Sequence, residues 1–199
     1  MRRAGAIALT LALTLSGGLV RAAEVPDACL IPATDLDMTL AGLERAGWQV
    51  VPGGTLPPEV AELLVWSYAT QYLTGDSGGE PLDSILTLQR RTVEGLARKR
   101  DIPTSKTRLL QRDGAALAVF WRVPEAGMME LQCRGAMLEA GADVPDTVIG
   151  TLARQEVDGG AIMILPLDAA ALTAEIGGLA TVPTAVLDSY IRFEGEPSL

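Results

Sequence analysis

Apolar and polar positions follow a helical period in the first half of the chain and a period of two in its middle. After Thr34-Asp35, the residues Leu36, Leu40 and Leu43 recur at helical spacing and Gly47 ends the run, which predicts a short amphipathic helix. Trp48 to Val51 reads as a short strand, and Pro52-Gly53-Gly54 turns the chain. Pro57-Pro58 suits the first turn of a second helix, whose N–H groups would lack helical partners anyway. That helix runs to about Leu73, with Val60, Leu64, Tyr68 and Tyr72 on one stripe. A loop at 75–81 leads to a third helix, from Pro81 to about Arg100, whose buried face carries Leu82, Ile85, Leu86, Val93 and Leu96.

The period then changes. Thr107 to Arg112, Ala115 to Val123 and Met128 to Arg134 read as three strands, joined by the hairpin pair Asp113-Gly114 and by Pro124-Glu125-Ala126-Gly127. Leu117, Val119, Trp121 and Val123 share one face of the middle strand, and Met129, Leu131 and Cys133 share one face of the next. Farther on, residues 144–155 fit either a helix or a strand paired through Asp158-Gly159. Residues 161–165 form an apolar strand, Asp168 caps a short Ala-rich helix ending at Gly177-Gly178, and 184–193 fit helix or strand. The expected fold is α+β: an antiparallel meander over about residues 107–134, with 161–165 as a candidate addition, packed against N-terminal helices. No repeat or linker divides residues 23–199, so they are expected to form one domain.

The N-terminus carries an address. Met1-Arg2-Arg3 precedes an uncharged run from Ala4 to Val20, and Val20-Arg21-Ala22 fits cleavage after Ala22. Residues 1–22 therefore read as a secretory signal peptide, and the mature chain as periplasmic or secreted with no membrane-spanning segment. Cleavage takes three arginines away and moves the formal net charge from −9 to −12. Such an acidic chain disfavours nucleic acid as a partner. In an oxidising compartment the two cysteines, Cys29 and Cys133, are expected to form one disulfide. They lack the C-x-x-C spacing of a redox pair.

Histidine is absent, which excludes Ser-His-Asp and Cys-His catalysis, histidine zinc sites and histidine-ligated haem. Gly75-Asp76-Ser77-Gly78-Gly79 resembles the segment around the nucleophilic serine of trypsin-like proteases, over five residues. That site needs an imidazole and a β-barrel, whereas this chain has no histidine and helical flanks, so Ser77 is not read as a nucleophile. Ser105 and Lys106 are adjacent, without the S-x-x-K spacing that places both on one helix face. No phosphate-binding or calcium-binding loop is present, and no cofactor is implied. Scattered carboxylates leave room for a saccharide hydrolase, with Glu62, Glu80 and Asp83 near Trp66, Tyr68 and Tyr72.

One local charge feature stands out. Residues 90–112 hold Arg90, Arg91, Arg98, Lys99, Arg100, Lys106, Arg108 and Arg112 against only Glu94 and Asp101. The functional reading is a contact for an anionic envelope component or partner protein, and the ordinary one is a solvated helix face. The leading expectation is an exported, non-catalytic binding or scaffolding protein, with a carboxylate hydrolase or a small-ligand carrier as alternatives. Charge reversal at Arg98 and Arg100 is expected to weaken partner capture with little loss of stability.

Overall fold

The computed structural model describes residues 25–73, 81–102, 104–138, 152–176 and 181–195. Residues 1–22, expected to be a signal peptide, nearly all of the 75–81 loop with Ser77, residues 144–151 and Gly177-Gly178 lie outside the described residues. A 3-10 turn at Asp27–Cys29 precedes α1 (Leu36–Arg45), β1 (Gln49–Val50), α2 (Pro58–Leu73) and α3 (Leu82–Arg100). Then follow β2 (Thr107–Arg112), β3 (Ala115–Glu125), β4 (Met128–Met137), β5 (Ala153–Val157), β6 (Gly160–Pro166), α4 (Ala169–Ile176) and β7 (Ala185–Glu194). The α+β class holds, with the N-terminal helices packed on an antiparallel sheet.

Local chemistry accounts for the elements. The Asp35 carboxylate accepts a hydrogen bond from the Met38 N–H at 2.8 Å, capping α1 where the sequence places its start. Asp168 does the same for α4, accepting from the Ala171 N–H at 2.9 Å. Arg98, Lys99 and Arg100 fill the last turn of α3, where cations meet the negative end of the helix dipole. Gly114 and Gly159 take φ of +62° and +72° in the β2–β3 and β5–β6 turns, a conformation that L side chains resist. The strand option for residues 153–155 is the one realised, paired through Asp158-Gly159.

The seven strands run β1-β2-β3-β4-β7-β6-β5, and every pairing is antiparallel. Residues 161–165 join the sheet, but β7 separates them from the meander. The last strand thus lies inside the sheet next to the central β4, ten residues paired with β4 on one side and seven with β6 on the other. Val123 departs from its expected face. The β3–β4 register shifts between Arg122 and Glu125, and Val123 is 48% exposed.

Both faces of the sheet carry a core. On one, α2 and α3 press Leu64, Trp66, Leu86 and Val93 onto Leu109, Ala118 and Phe120. On the other, Leu117, Val119, Leu131 and Leu187 meet Cys29, Leu36, Leu43 and Trp48 of the N-terminal segment. From Ala115 to Trp121, β3 is buried on both sides. Cys29 and Cys133 form the expected disulfide across 104 residues, their Cα atoms 5.9 Å apart, and so pin that segment to β4. Replacing Cys133 by Ser should cost about 2–5 kcal/mol in denaturant unfolding of the oxidised chain. Equal stability of this variant and the parent would refute a stabilising bridge.

Candidate functional site

A cavity of about 580 Å³ opens between the N-terminal segment, α1 and the β2–β3 hairpin. Residues 26–33 form one wall, α1 contributes Met38, Thr39, Gly42 and Arg45, and Trp48, Arg112, Ala115 and Met137 close the sheet side. Gly42 lets the first wall approach α1, since a Cβ there would lie 2.8 Å from the Ala28 Cβ. Ile31 and Met38 are 58% and 55% exposed at its rim, two of the few large apolar side chains that face water. The smaller cavity across the same hairpin, about 270 Å³, is lined by Gln49, Glu59 and Gln111 among others.

Two polar side chains in the larger cavity's wall are unsatisfied. Thr39 and Trp48 are each 2% exposed, and neither the Thr39 Oγ1 nor the Trp48 Nε1 has a hydrogen-bond partner among the described residues. A buried polar atom without a partner costs about 1–3 kcal/mol, and both atoms have under 1 Å² of accessible surface, so they lie behind the cavity's lining rather than open to it. Arg112 lays its guanidinium 4.8 Å from the centre of the Trp48 ring. Arg45 donates from Nε to the Ala41 carbonyl at 3.1 Å, which holds it against the last turn of α1.

The eight basic residues singled out by the sequence do not form one face. Arg90 pairs with Glu62 of α2 at 3.1 Å. Arg108 donates to the Ser105 and Thr107 carbonyls at 2.8 and 2.9 Å. Arg112 belongs to the cavity on the opposite side of the sheet from α3. Arg100 is buried, donating to the Gly54 carbonyl at 2.7 Å and to Asp101 at 3.2 Å, so it is a latch between α3 and the 52–55 loop. The expectation that Arg100 reversal leaves stability intact therefore fails, because its side chain is only 3% exposed. Arg91, Arg98, Lys99 and Lys106 remain exposed, with no acid in ion-pairing distance among the described residues.

The aromatic residues considered for saccharide stacking are largely interior. Trp66 is 0% exposed and donates to the Thr181 carbonyl at 3.0 Å. Glu62 is held by Arg90, and Glu80 lies outside the described residues. Ser105 is buried at the start of β2, its hydroxyl accepting from the Thr107 N–H at 3.2 Å. Among the described residues no three metal-ligating side chains converge, and no helix is long and apolar enough to cross a membrane.

A second polar cluster escaped the sequence reading. On the α2 side of β4 and β7, Glu130 meets Arg122 at 3.6 Å and Arg192 at 2.8 Å. Two rows along the same face, Arg134 pairs with Asp188, which also accepts from Gln132 at 2.9 Å. The signal was present as alternation: Glu130, Gln132 and Arg134 in one strand, and Asp188, Tyr190 and Arg192 in its partner. Arg134 also stacks over Tyr68, 4.9 Å from its ring centre. Burial pushes the Tyr68 hydroxyl up to about 12, against the weaker opposing pull of Arg134.

The folded state therefore holds the Tyr68 proton more tightly than the unfolded state does. Its stabilising effect is complete below pH 10, the ordinary tyrosine value, and is lost as pH rises toward about 12. An ultraviolet titration of the three tyrosines should show a late ionisation near 12 that Tyr68→Phe removes. A single phase centred on 10 would contradict the burial argument.

Comparison with protein-family models, with curated proteins and with solved structures finds no match to this chain.

Proposed function

We propose that this chain is an exported, non-catalytic binding protein that holds a small ligand in the cavity between α1 and the β2–β3 hairpin. The observation that carries this reading is the cavity itself, whose lining sets Val25, Ile31, Met38 and Met137 beside Arg45 and Arg112. Its volume, about 580 Å³, falls in the range of small-molecule sites, which are mostly apolar with a few placed polar groups. A disulfide and an N-terminal secretory pattern support export. Native mass spectrometry of the chain purified from an exporting host should show an added non-covalent mass that denaturation releases. A bare chain whose melting temperature no amphiphile raises would sink the reading.

A second reading concerns the outer surface of α3. Arg91, Arg98, Lys99 and Lys106 form the residue of the basic segment that no described acid neutralises, and they suit an anionic envelope component. The double reversal Arg98→Glu/Lys99→Glu should then abolish capture on phosphatidylglycerol vesicles at low salt. The melting temperature should barely move, because exposed substitutions stay within about 0.5 kcal/mol. Arg100→Glu should instead cost about 3 kcal/mol, as expected when a buried ion loses its partners. Unchanged vesicle capture by the double variant would remove α3 as a contact.

A further inference from the structure

The sheet ends on two unlike edges. At one, β1 is only two residues long. At the other lies β5, five residues with Ala153 to Glu156 exposed, and no described segment pairs with its outer side. We infer that this edge is an interface between two copies of the chain, joined β5 to β5 antiparallel about a two-fold axis at Gln155.

The backbone sets what the edge offers. Asp158-Gly159 is a two-residue turn between the paired Val157 and Gly160, and such a turn closes on a hydrogen-bonded pair. Bonding direction then alternates along the strand. Val157, Gln155 and Ala153 spend their N–H and C=O groups on β6, and Arg154 and Glu156 turn theirs outward. About the two-fold axis, Arg154 faces the partner's Glu156 and Glu156 faces the partner's Arg154. Each of these pairs exchanges two main-chain hydrogen bonds, which extends the ladder across the axis.

The side chains agree with that register. Arg154 and Glu156 point to the same face, where they form an exposed ion pair at 2.7 Å. Across the axis the four side chains make a ring of alternating sign, each arginine between its own glutamate and the partner's. A slip of two residues in either direction sets Arg154 or Glu156 against its own copy, so the charges also fix the register. Edges that stay single are guarded by charges, commonly lysine, and like charges repel a copy. Opposite charges placed evenly about Gln155 attract one instead. On the other face Ala153 meets the partner's Val157, beside half-buried Ile164 of β6, so the apolar rows of the two sheets run together.

The test is sedimentation velocity of the full oxidised chain over about 1 µM to 1 mM, since so short an edge buries little surface and binds weakly. The parent should pass from monomer to dimer within that range. Arg154→Glu and Glu156→Arg each set like charges across both pairs, and each should weaken dimerisation about tenfold or more. An equimolar mixture of these two variants restores opposite charges and should recover the dimer, as should the exchange Arg154→Glu/Glu156→Arg in one chain. Both sites are exposed, so melting temperatures should match the parent's and exclude misfolding as the cause. A parent that stays monomeric throughout overturns the proposal. A dimer that survives each reversal does so too, because it uses another surface. Loss in the single variants without recovery in their mixture overturns the proposed pairing as well.

Discussion

A sheet with two apolar faces needs two covers, and in this chain the covers are unequal. On one side α2 and α3 bring sixteen and nineteen residues of helix, enough to press a continuous apolar stripe onto β2, β3 and β4. On the other side the cover is the 3-10 turn, the ten-residue α1 and Trp48. Helices of that length are marginal alone and take their stability from packing. The Cys29–Cys133 bond therefore carries unusual weight. Closing a loop of about 100 residues is credited with roughly 4.7 kcal/mol, more than the roughly 1.5–3 kcal/mol gained by burying any one leucine or valine of the cover. Both sulfurs sit in fully buried residues, so the bond is part of the second core as well as its anchor.

Local features were legible because their causes are local. Asp35 before an amphipathic run and Asp113-Gly114 between two apolar strands each encode one short-range event. The place of β7 is of another kind. Nothing within residues 185–194 says that they insert between β4 and β6, because that arrangement is set by pairings with strands far away in sequence. Alternation in β7 was ambiguous for the same reason. Its one face joins the second core through Leu187 and Ile191, while the other carries Asp188, Tyr190 and Arg192 toward the charged rows.

The basic segment shows how a linear charge count misleads. Eight cations in 23 positions look like one surface, yet α3 ends at Arg100 and the chain joins the sheet at Thr107. Arg108 and Arg112 then face the second core side, and α3 covers the first. A guanidinium also has five donors in a fixed fork, so folding finds uses for it that exposure does not reveal. Arg100 latches a loop, Arg108 binds two carbonyls, and Arg112 lies on an indole. The sequence could mark the charges, but only the fold separates those consumed by structure from those left to solvent.

The cavity was not legible at all, and the reason follows from the same two-sided sheet. Its walls come from residues 25–33, from α1, from Trp48 and from the β2–β3 hairpin, so it exists only where the second cover meets the sheet's corner. Ala28 in the first wall lies one residue from the disulfide and packs against Gly42 of α1, where any larger residue would collide. Wall and staple are thus one piece of structure. Thr39 and Trp48 illustrate the consequence: by sequence they are a helix residue and a strand residue with ordinary roles, and they become a pair of unsatisfied groups only when the cover closes. A core free of function would fill that wall with valine and phenylalanine at no polar cost. Retaining a hydroxyl and an indole N–H there, beside an arginine stacked on the indole, leaves a local polar cost that packing alone does not account for.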